Sequence, residues 1–176
     1  MTSHKGNFPQ ASRPYMPDYG VQNAQSGKGL LAWNWAVEQL SNARNYWIAT
    51  TRPDGQPNMT PVWGVWLDEA FYFSSGARSR KARNLAVNPK CVISTDQANV
   101  PVILEGRARR VSNHALLRHV AEAYSKKYQW QLEPTAEGVR DSHGNGGPVF
   151  AVHPHVVFAF NEDLAGSATR WVFEDD

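Results

Sequence analysis

Phe71-Tyr72-Phe73-Ser74-Ser75-Gly76-Ala77-Arg78-Ser79-Arg80-Lys81-Ala82-Arg83-Asn84-Leu85 runs a strand through a turn into a helix, and it decides how the rest of the chain is read. Aromatic residues lead to two serines. A short turn follows, and Ser79 then stands where a helix N-cap belongs, ahead of Arg80, Lys81 and Arg83. Ala82, Leu85 and Ala86 give the helix an inward face, and Asn88-Pro89 stops it. A helix N-terminus presents unpaired backbone N–H groups and a partial positive charge, which together favour a phosphate. Hydroxyl and guanidinium groups at the same place add directional, charge-assisted hydrogen bonds. The stretch reads as the phosphate grip of a nucleotide-like cofactor. The plainer alternative is that Arg78, Arg80, Lys81 and Arg83 form a solvated helix face.

Strand patterns surround this unit. Upstream, Tyr46 to Arg52 and Asn58 to Leu67 flank Pro53-Asp54-Gly55-Gln56-Pro57, a hairpin turn signal, and Asp68-Glu69 turns the chain into Phe71 to Ser75. Downstream, strands are expected over Cys91 to Asp96, Val102 to Val111, Val149 to His153, Val156 to Phe160 and Thr169 to Phe173. Helical spacing of Leu30, Trp33, Val37 and Leu40 predicts a helix from Leu30 to about Arg44. A second runs from an Asn113 cap to about Tyr128, with Leu116, Leu117, Val120, Ala121, Tyr124 and Tyr128 on one stripe. The glycine-rich stretch 144–147 neither follows a strand nor opens a helix, so it is read as a disordered connector or a substrate lid. Residues 1–28 are polar, aperiodic and rich in Pro, Gly, Ser, Asn and Gln, which predicts a mobile N-terminal arm ahead of one folded domain, 29–176.

Short, mostly antiparallel strands with two or three helices imply a mainly β, α+β fold: a small barrel with helical cover. In Met59-Thr60-Pro61-Val62-Trp63-Gly64-Val65-Trp66-Leu67 both faces are apolar. A strand buried on both faces in a one-domain antiparallel protein needs its outer face covered, and a second subunit would serve. Pro61 cannot donate to a ladder, so it belongs at an edge or bulge, and Gly64 leaves space for a flat ring to approach the backbone.

Composition narrows the function. At 176 residues, 41% apolar and 19% charged, the chain is long enough for a real core, and a formal charge of +2 gives no reason to expect nucleic acid as a partner. A single cysteine, Cys91, excludes an internal disulfide and CxxC metal or redox motifs; a small buried hydrophobe is its expected role. No apolar run approaches the roughly 20 residues of a membrane helix, and no leader is visible, so the cytoplasm is the expected location. His153 and His155 flank Pro154 and suggest a surface turn rather than a metal pair, so no metal is expected. Arg107 and Arg109 share one strand face, read as exposed or as forming dimer salt bridges. Trp63 and Trp66 point to opposite faces, one to the core and one to an interface.

Ala49-Thr50-Thr51-Arg52-Pro53-Asp54-Gly55, Thr60-Pro61-Val62-Trp63-Gly64, Tyr72-Phe73-Ser74-Ser75, Ser79-Arg80-Lys81-Ala82-Arg83-Asn84-Leu85, Val102-Ile103-Leu104-Glu105-Gly106-Arg107-Ala108 and Ala168-Thr169-Arg170-Trp171-Val172-Phe173 occur in that order. The series resembles the pyridoxamine 5′-phosphate oxidase-like superfamily, in particular its flavin/deazaflavin oxidoreductase branch, over residues 30–174. The resemblance implies a homodimeric split β-barrel of six to eight strands with a flavin-type cofactor, coenzyme F420 or FMN, in the subunit interface. Carried over by position, Thr60, Pro61, Val62 and Trp63 would run beside the ring system, and Ser74 and Ser75 beside the sugar-like chain. Ser79, Arg80 and Lys81 would meet the phosphate, with Asn84 further along the same helix. Arg170 and Trp171 would cover the site, from the same or the other subunit; Trp171 could equally be packing.

Hydride chemistry would then belong to the cofactor. This agrees with the absence of any Ser-His-Asp, HExxH or paired-carboxylate pattern, and no side chain stands out as catalytic or as proton donor. An F420-dependent reductase acting on a small conjugated substrate is the leading expectation, because the density of Arg78, Arg80, Lys81 and Arg83 suits the longer acidic tail of that coenzyme. An FMN oxidoreductase of the same fold is the alternative, and a non-catalytic flavin or tetrapyrrole carrier the third. The Arg-Leu-x-Pro type ending of the vitamin-converting oxidases is absent, since the chain reads Phe173-Glu174-Asp175-Asp176 there.

Overall fold

The computed structural model describes residues 9–19, 21 and 29–174. Its elements begin with β1 (Gln10–Ser12), α1 (Trp33–Asn42), β2 (Tyr46–Thr51), β3 (Pro57–Val62), β4 (Val65–Leu67) and β5 (Ala70–Ser74). Then come α2 (Arg80–Val87), β6 (Lys90–Thr95), β7 (Val102–Arg110) and α3 (His114–Tyr128). β8 (Glu133–Thr135), β9 (Gly138–Arg140), β10 (Gly146–Gly147), β11 (Val149–Ala159), α4 (Leu164–Ser167) and β12 (Thr169–Val172) follow. The main sheet runs β1-β12-β11-β7-β6-β2-β3, with β5 on the far half of β11 and β4 on β5. Every described pairing is antiparallel, as the α+β split barrel requires.

Period-two alternation builds this sheet. On β2, Tyr46, Ile48 and Thr50 turn inward and Trp47 outward; on β7, Val102, Leu104, Gly106 and Ala108 are buried while Glu105, Arg107 and Arg109 are exposed. The inner face meets α1 through Trp33, Ala36 and Leu40, around a core that includes Phe71, Phe73 and Trp171. A second core lies under α3, which buries Leu117, Val120, Ala121, Tyr124 and Tyr128. Asn113 starts α3 by accepting from Leu116 N–H at 3.0 Å, and Gln129 ends it in the left-handed region at φ 56.

Four sequence expectations change. Asn58–Leu67 is two strands, because the chain leaves the ladder at Trp63-Gly64, where tyrosines of α3 take over the backbone hydrogen bonds. The two strands expected over Val149–His153 and Val156–Phe160 are one, Val149–Ala159, bent by a bulge between Pro154 and Val156, the place where proline removes a donor. The stretch 141–147 is no disordered connector: β10 pairs with β9, and Asp141 accepts from His143 N, Asn145 N, Asn145 Nδ2 and Trp130 Nε1. The mobile-arm reading fails for Gln10–Ser12, which pair with β12 and close an otherwise open sheet edge; residues 1–8 and 22–28 lie outside the described residues. At the opposite edge, β3 carries Pro57 and Pro61, which leave few backbone donors for a further strand. Among the described residues no helix is long and apolar enough to cross a membrane.

Candidate functional site

The end of β3, the end of β5 and the start of α2 converge on a groove of 320 Å³, closed on one side by Tyr124 and Trp130. At its polar end the α2 N-terminus is built as its sequence requires. Ser79 Oγ accepts from Ala82 N at 3.2 Å and shares a 2.8 Å hydrogen bond with Ser75 Oγ. The N–H groups of Arg80 and Lys81, first in the helix, have no intrahelical acceptor. Lys81 is half-buried on the groove wall, and desolvation lowers its pKa. Arg78, Arg80 and Arg83 are exposed, and among the described residues the ion pairs are His119–Asp68 and Arg140–Glu137, so no carboxylate offsets this charge.

At the other end a hydroxyl network fixes the backbone. Tyr124 donates to Trp63 O at 2.7 Å and accepts from Ser74 N–H at 3.2 Å. Burial holds its pKa far above the usual phenol value, so that proton stays where it is. The Tyr128 hydroxyl accepts from Gly64 N–H at 2.9 Å, and Lys127 Nζ donates to Ser41 O, Tyr46 Oη and Gly64 O at 3.1, 2.7 and 3.1 Å. Freed from the ladder, the Trp63 indole stacks on Tyr128 with centroids 4.6 Å apart and meets Trp130 edge-on at 5.9 Å. Trp63 remains 41% exposed, which leaves it a face for a ligand.

Trp130 is held in turn by Asp141, whose pKa is lowered to about 2, first by the Asn145 side chain and then by Trp130 itself. The folded value lies below the ordinary 3.8, so this contribution to stability is present above about pH 4 and lost as pH falls toward 2. Acid is expected to loosen Trp130. Tryptophan fluorescence should show a transition between pH 4 and 2 that is missing in Asp141→Asn; an identical transition in the variant would refute the assignment.

Of the residues picked from sequence, Pro61, Val62, Trp63, Ser74, Ser75, Ser79 and Lys81 line the groove. Thr60 lies one residue further along β3, and its buried Oγ1 has no hydrogen-bond partner, the kind of orphan that a bound group satisfies. Arg80 stands exposed at the mouth. Asn84 does not face the groove: it is 1% exposed and donates to Thr50 Oγ1 at 3.0 Å, tying α2 to β2. Trp171 is a core residue, 1% exposed and packed edge-on against Trp33 at 5.4 Å, so it cannot cover the site. The flat ring against Gly64 is that of Phe71, not a ligand's. Tyr124 and Trp130 escape the sequence reading, the first because it shares an apolar stripe with core residues, the second because it follows the helix without periodicity.

Arg170 takes a separate position. Successive register partners Pro61, Trp47, Ser94, Ile103, Phe158 and Arg170 form one row across the outer face of the sheet. Five strand steps of roughly 4.8 Å put Arg170 about 24 Å along the sheet from Pro61. One chain therefore does not bring both to the same ring.

Residues 35–157 match the family described as pyridoxamine 5′-phosphate oxidase. The chain belongs to that family. Solved structures agree on the fold. A conserved hypothetical protein of Mycobacterium tuberculosis is 21% identical with a TM-score of 0.65, covering 81% of this chain and 92% of that one. An FAD-binding protein of Mesorhizobium loti is 21% identical with a TM-score of 0.56, covering 81% and 96%. A protein titled F420 reductase is 21% identical with a TM-score of 0.51, covering 68% and 93%. No curated protein sequence matches the chain. This member of the pyridoxamine 5′-phosphate oxidase family also carries a wider groove of 460 Å³, lined by Lys90, Arg107 and Ala49 among others, which contains none of the expected cofactor residues.

Proposed function

We propose that the chain is a flavin-type oxidoreductase that holds its cofactor in the Ser79–Trp63 groove. One observation carries the reading: a single groove joins an uncompensated cationic helix N-terminus to an open backbone edge walled by Trp63, Tyr124 and Trp130. The donor set fits a phosphate group at one end and a planar ring at the other. Such a cofactor, when bound, supplies hydride exchange with an activated double bond. The chain's own residues do the rest. Ser79, Lys81 and the first N–H groups of α2 hold the phosphate. The backbone of Pro61–Trp63 lies along the ring, and the aromatic wall excludes water. Tyr124 keeps Trp63 O in place and donates no proton to substrate.

Coenzyme F420 is the preferred cofactor, since Arg78, Arg80 and Arg83 around the mouth supply more positive charge than one phosphate needs. The working unit is a homodimer. Trp47, Met59 and Pro61 form an exposed apolar patch on the outer face, Trp47 being 39% and Met59 60% exposed, which a second copy would cover. The substrate is a small conjugated molecule over the Trp63 side.

Titrating apo-protein with FMN and with F420, followed by tryptophan quenching, tests the reading. Tighter F420 binding is expected. Preference for FMN would move the chain to the FMN oxidoreductases, and failure of both to bind below roughly 100 μM would remove the phosphate-grip argument.

A further inference from the structure

Behind the Trp63-Gly64 corner, α1, β2 and the corner itself meet on one nitrogen. Lys127, in the last turn of α3, donates from Nζ to Ser41 O at 3.1 Å, to Tyr46 Oη at 2.7 Å and to Gly64 O at 3.1 Å. An ammonium has three N–H bonds, and these acceptors take all of them. Ser41 O is one of the carbonyls that α1 leaves open at its C-terminus, where a helix carries partial negative charge. Tyr46 gives its own proton to Leu40 O, so its oxygen is left to accept. The same nitrogen lies 4.8 Å from the Tyr46 ring centre and 5.5 Å from that of Tyr128, the ring on which Trp63 stacks. Desolvation lowers the pKa of Lys127 to about 8, which still leaves it charged at pH 7.

Folding alone does not ask for a cation here. Among the described residues Lys127 is in no ion pair, and Arg44 already stands over the Tyr128 ring at 5.8 Å. What the ammonium changes is the proton count at Tyr128. That hydroxyl accepts from Gly64 N–H, and its single hydrogen has two carbonyls in reach, Gly64 O at 2.8 Å and Arg44 O at 2.9 Å. With Lys127 on Gly64 O, the hydrogen goes to Arg44 O and both carbonyls are served. Without it one of them is left unpaired, and the corner is free to choose between them. We propose that Lys127 is a positioning residue for the ring end of the groove: its ammonium, rather than its bulk, fixes the corner so that Trp63 stacks on Tyr128 and keeps one face open to a ligand. Lys127 does not line the groove and acts through Gly64 and Tyr128. Which ring uses the open face rests on the flavin-type reading above; the hold on Trp63 does not.

Acrylamide quenching of tryptophan fluorescence in the ligand-free protein reads the corner directly. Lys127→Met should release the stacked face of Trp63 as well as the open one, so that the quenching due to Trp63 roughly doubles. Repeating each measurement in a Trp63→Phe background isolates that share. Lys127→Gln, neutral and shorter, should behave as Lys127→Met does and replaces it if methionine prevents folding. Lys127→Arg should return the signal close to the parental value, since it keeps a charged donor, although a planar fork suits three acceptors less well. Lys126→Met, at an exposed neighbouring position, should change nothing. Riboflavin and FMN should each bind Lys127→Met roughly tenfold more weakly, as expected of a corner competent about a tenth of the time. Equal losses mark the ring end, because the two probes share the ring and differ in the phosphate. If the parent binds neither, the flavin-type reading falls and the quenching alone decides the role of Lys127. An unchanged Trp63 share in the neutral variants would overturn the proposal. So would an increase that survives in the Trp63→Phe background, which is general loosening, or a Lys127→Arg protein that behaves like Lys127→Met.

Discussion

Lys81→Met is expected to weaken binding of F420 and of FMN alike by roughly ten- to a hundredfold, the equivalent of the 1.5–3 kcal/mol that a charged hydrogen bond contributes. Among the described residues Lys81 is the one cation on the groove wall; Arg78, Arg80 and Arg83 are exposed around it, where solvent screens them. The sign of its pKa shift separates a binding role from a structural one. Desolvation lowers the folded pKa below the ordinary 10.5, so the fold carries a penalty for the ammonium throughout neutral pH, and that penalty shrinks as pH rises through the folded value. Removing the charge should leave urea stability unchanged or slightly higher. A bound phosphate pulls the other way, favouring the ammonium, so cofactor affinity should fall as pH rises through the lowered pKa. Arg83→Gln is the control and should stay within about threefold, as an exposed contact would. Unchanged affinity in Lys81→Met, or a matching loss of stability, would sink the phosphate assignment.

What the sequence disclosed and what it hid divide along physical lines. β2, β7, α1 and α3 were legible because their signals are local: alternation, helical spacing, the Asn113 and Ser79 caps. The phosphate end of the groove was legible for the same reason, since Ser74, Ser75, Ser79 and Lys81 lie within one strand-turn-helix unit. The aromatic end was not. The break at Trp63-Gly64 is made by Tyr124 and Tyr128, some 60 residues away, and nothing in the sequence of β3 announces that hydroxyls from a helix will replace its ladder partners. Trp171 was ambiguous because an alternating strand end such as Thr169–Val172 does not say which face is core; pairing with β11 and contact with Trp33 decide it. Asn84 shows the reverse error: a polar residue on a cationic helix looks like a ligand contact, yet helical geometry turns it inward to Thr50. β1 was hidden by composition, its three polar or small residues held by the β12 edge rather than by any propensity of their own.

Gly64→Ala is expected to destabilise the protein by about 3 kcal/mol, the upper part of the range for overpacking a filled core. A Cβ built at Gly64 falls 2.1 Å from Phe71 Cζ and 2.8 Å from both Cε atoms. Phe71 cannot retreat, since it is fully buried and packed against Tyr46 at 4.6 Å and Phe73 at 6.4 Å. The backbone cannot retreat either, because Tyr128 and Lys127 hold Gly64 N–H and O from the other side. The strain therefore has to be absorbed by the segment that presents Trp63, and cofactor affinity should fall together with stability. A double-mutant cycle isolates the contact. Phe71→Leu removes the offending ring edge, so Gly64→Ala in that background should cost at least 1 kcal/mol less than in the parent, a coupling within the range seen for touching side chains. Urea midpoints for the four proteins measure it. Additive costs would mean that the glycine is there for some reason other than Phe71. The same cycle read by cofactor titration then tells whether the Trp63 wall depends on the packing beneath it, for a wall held only by Tyr128 stacking would keep its affinity in the repacked pair.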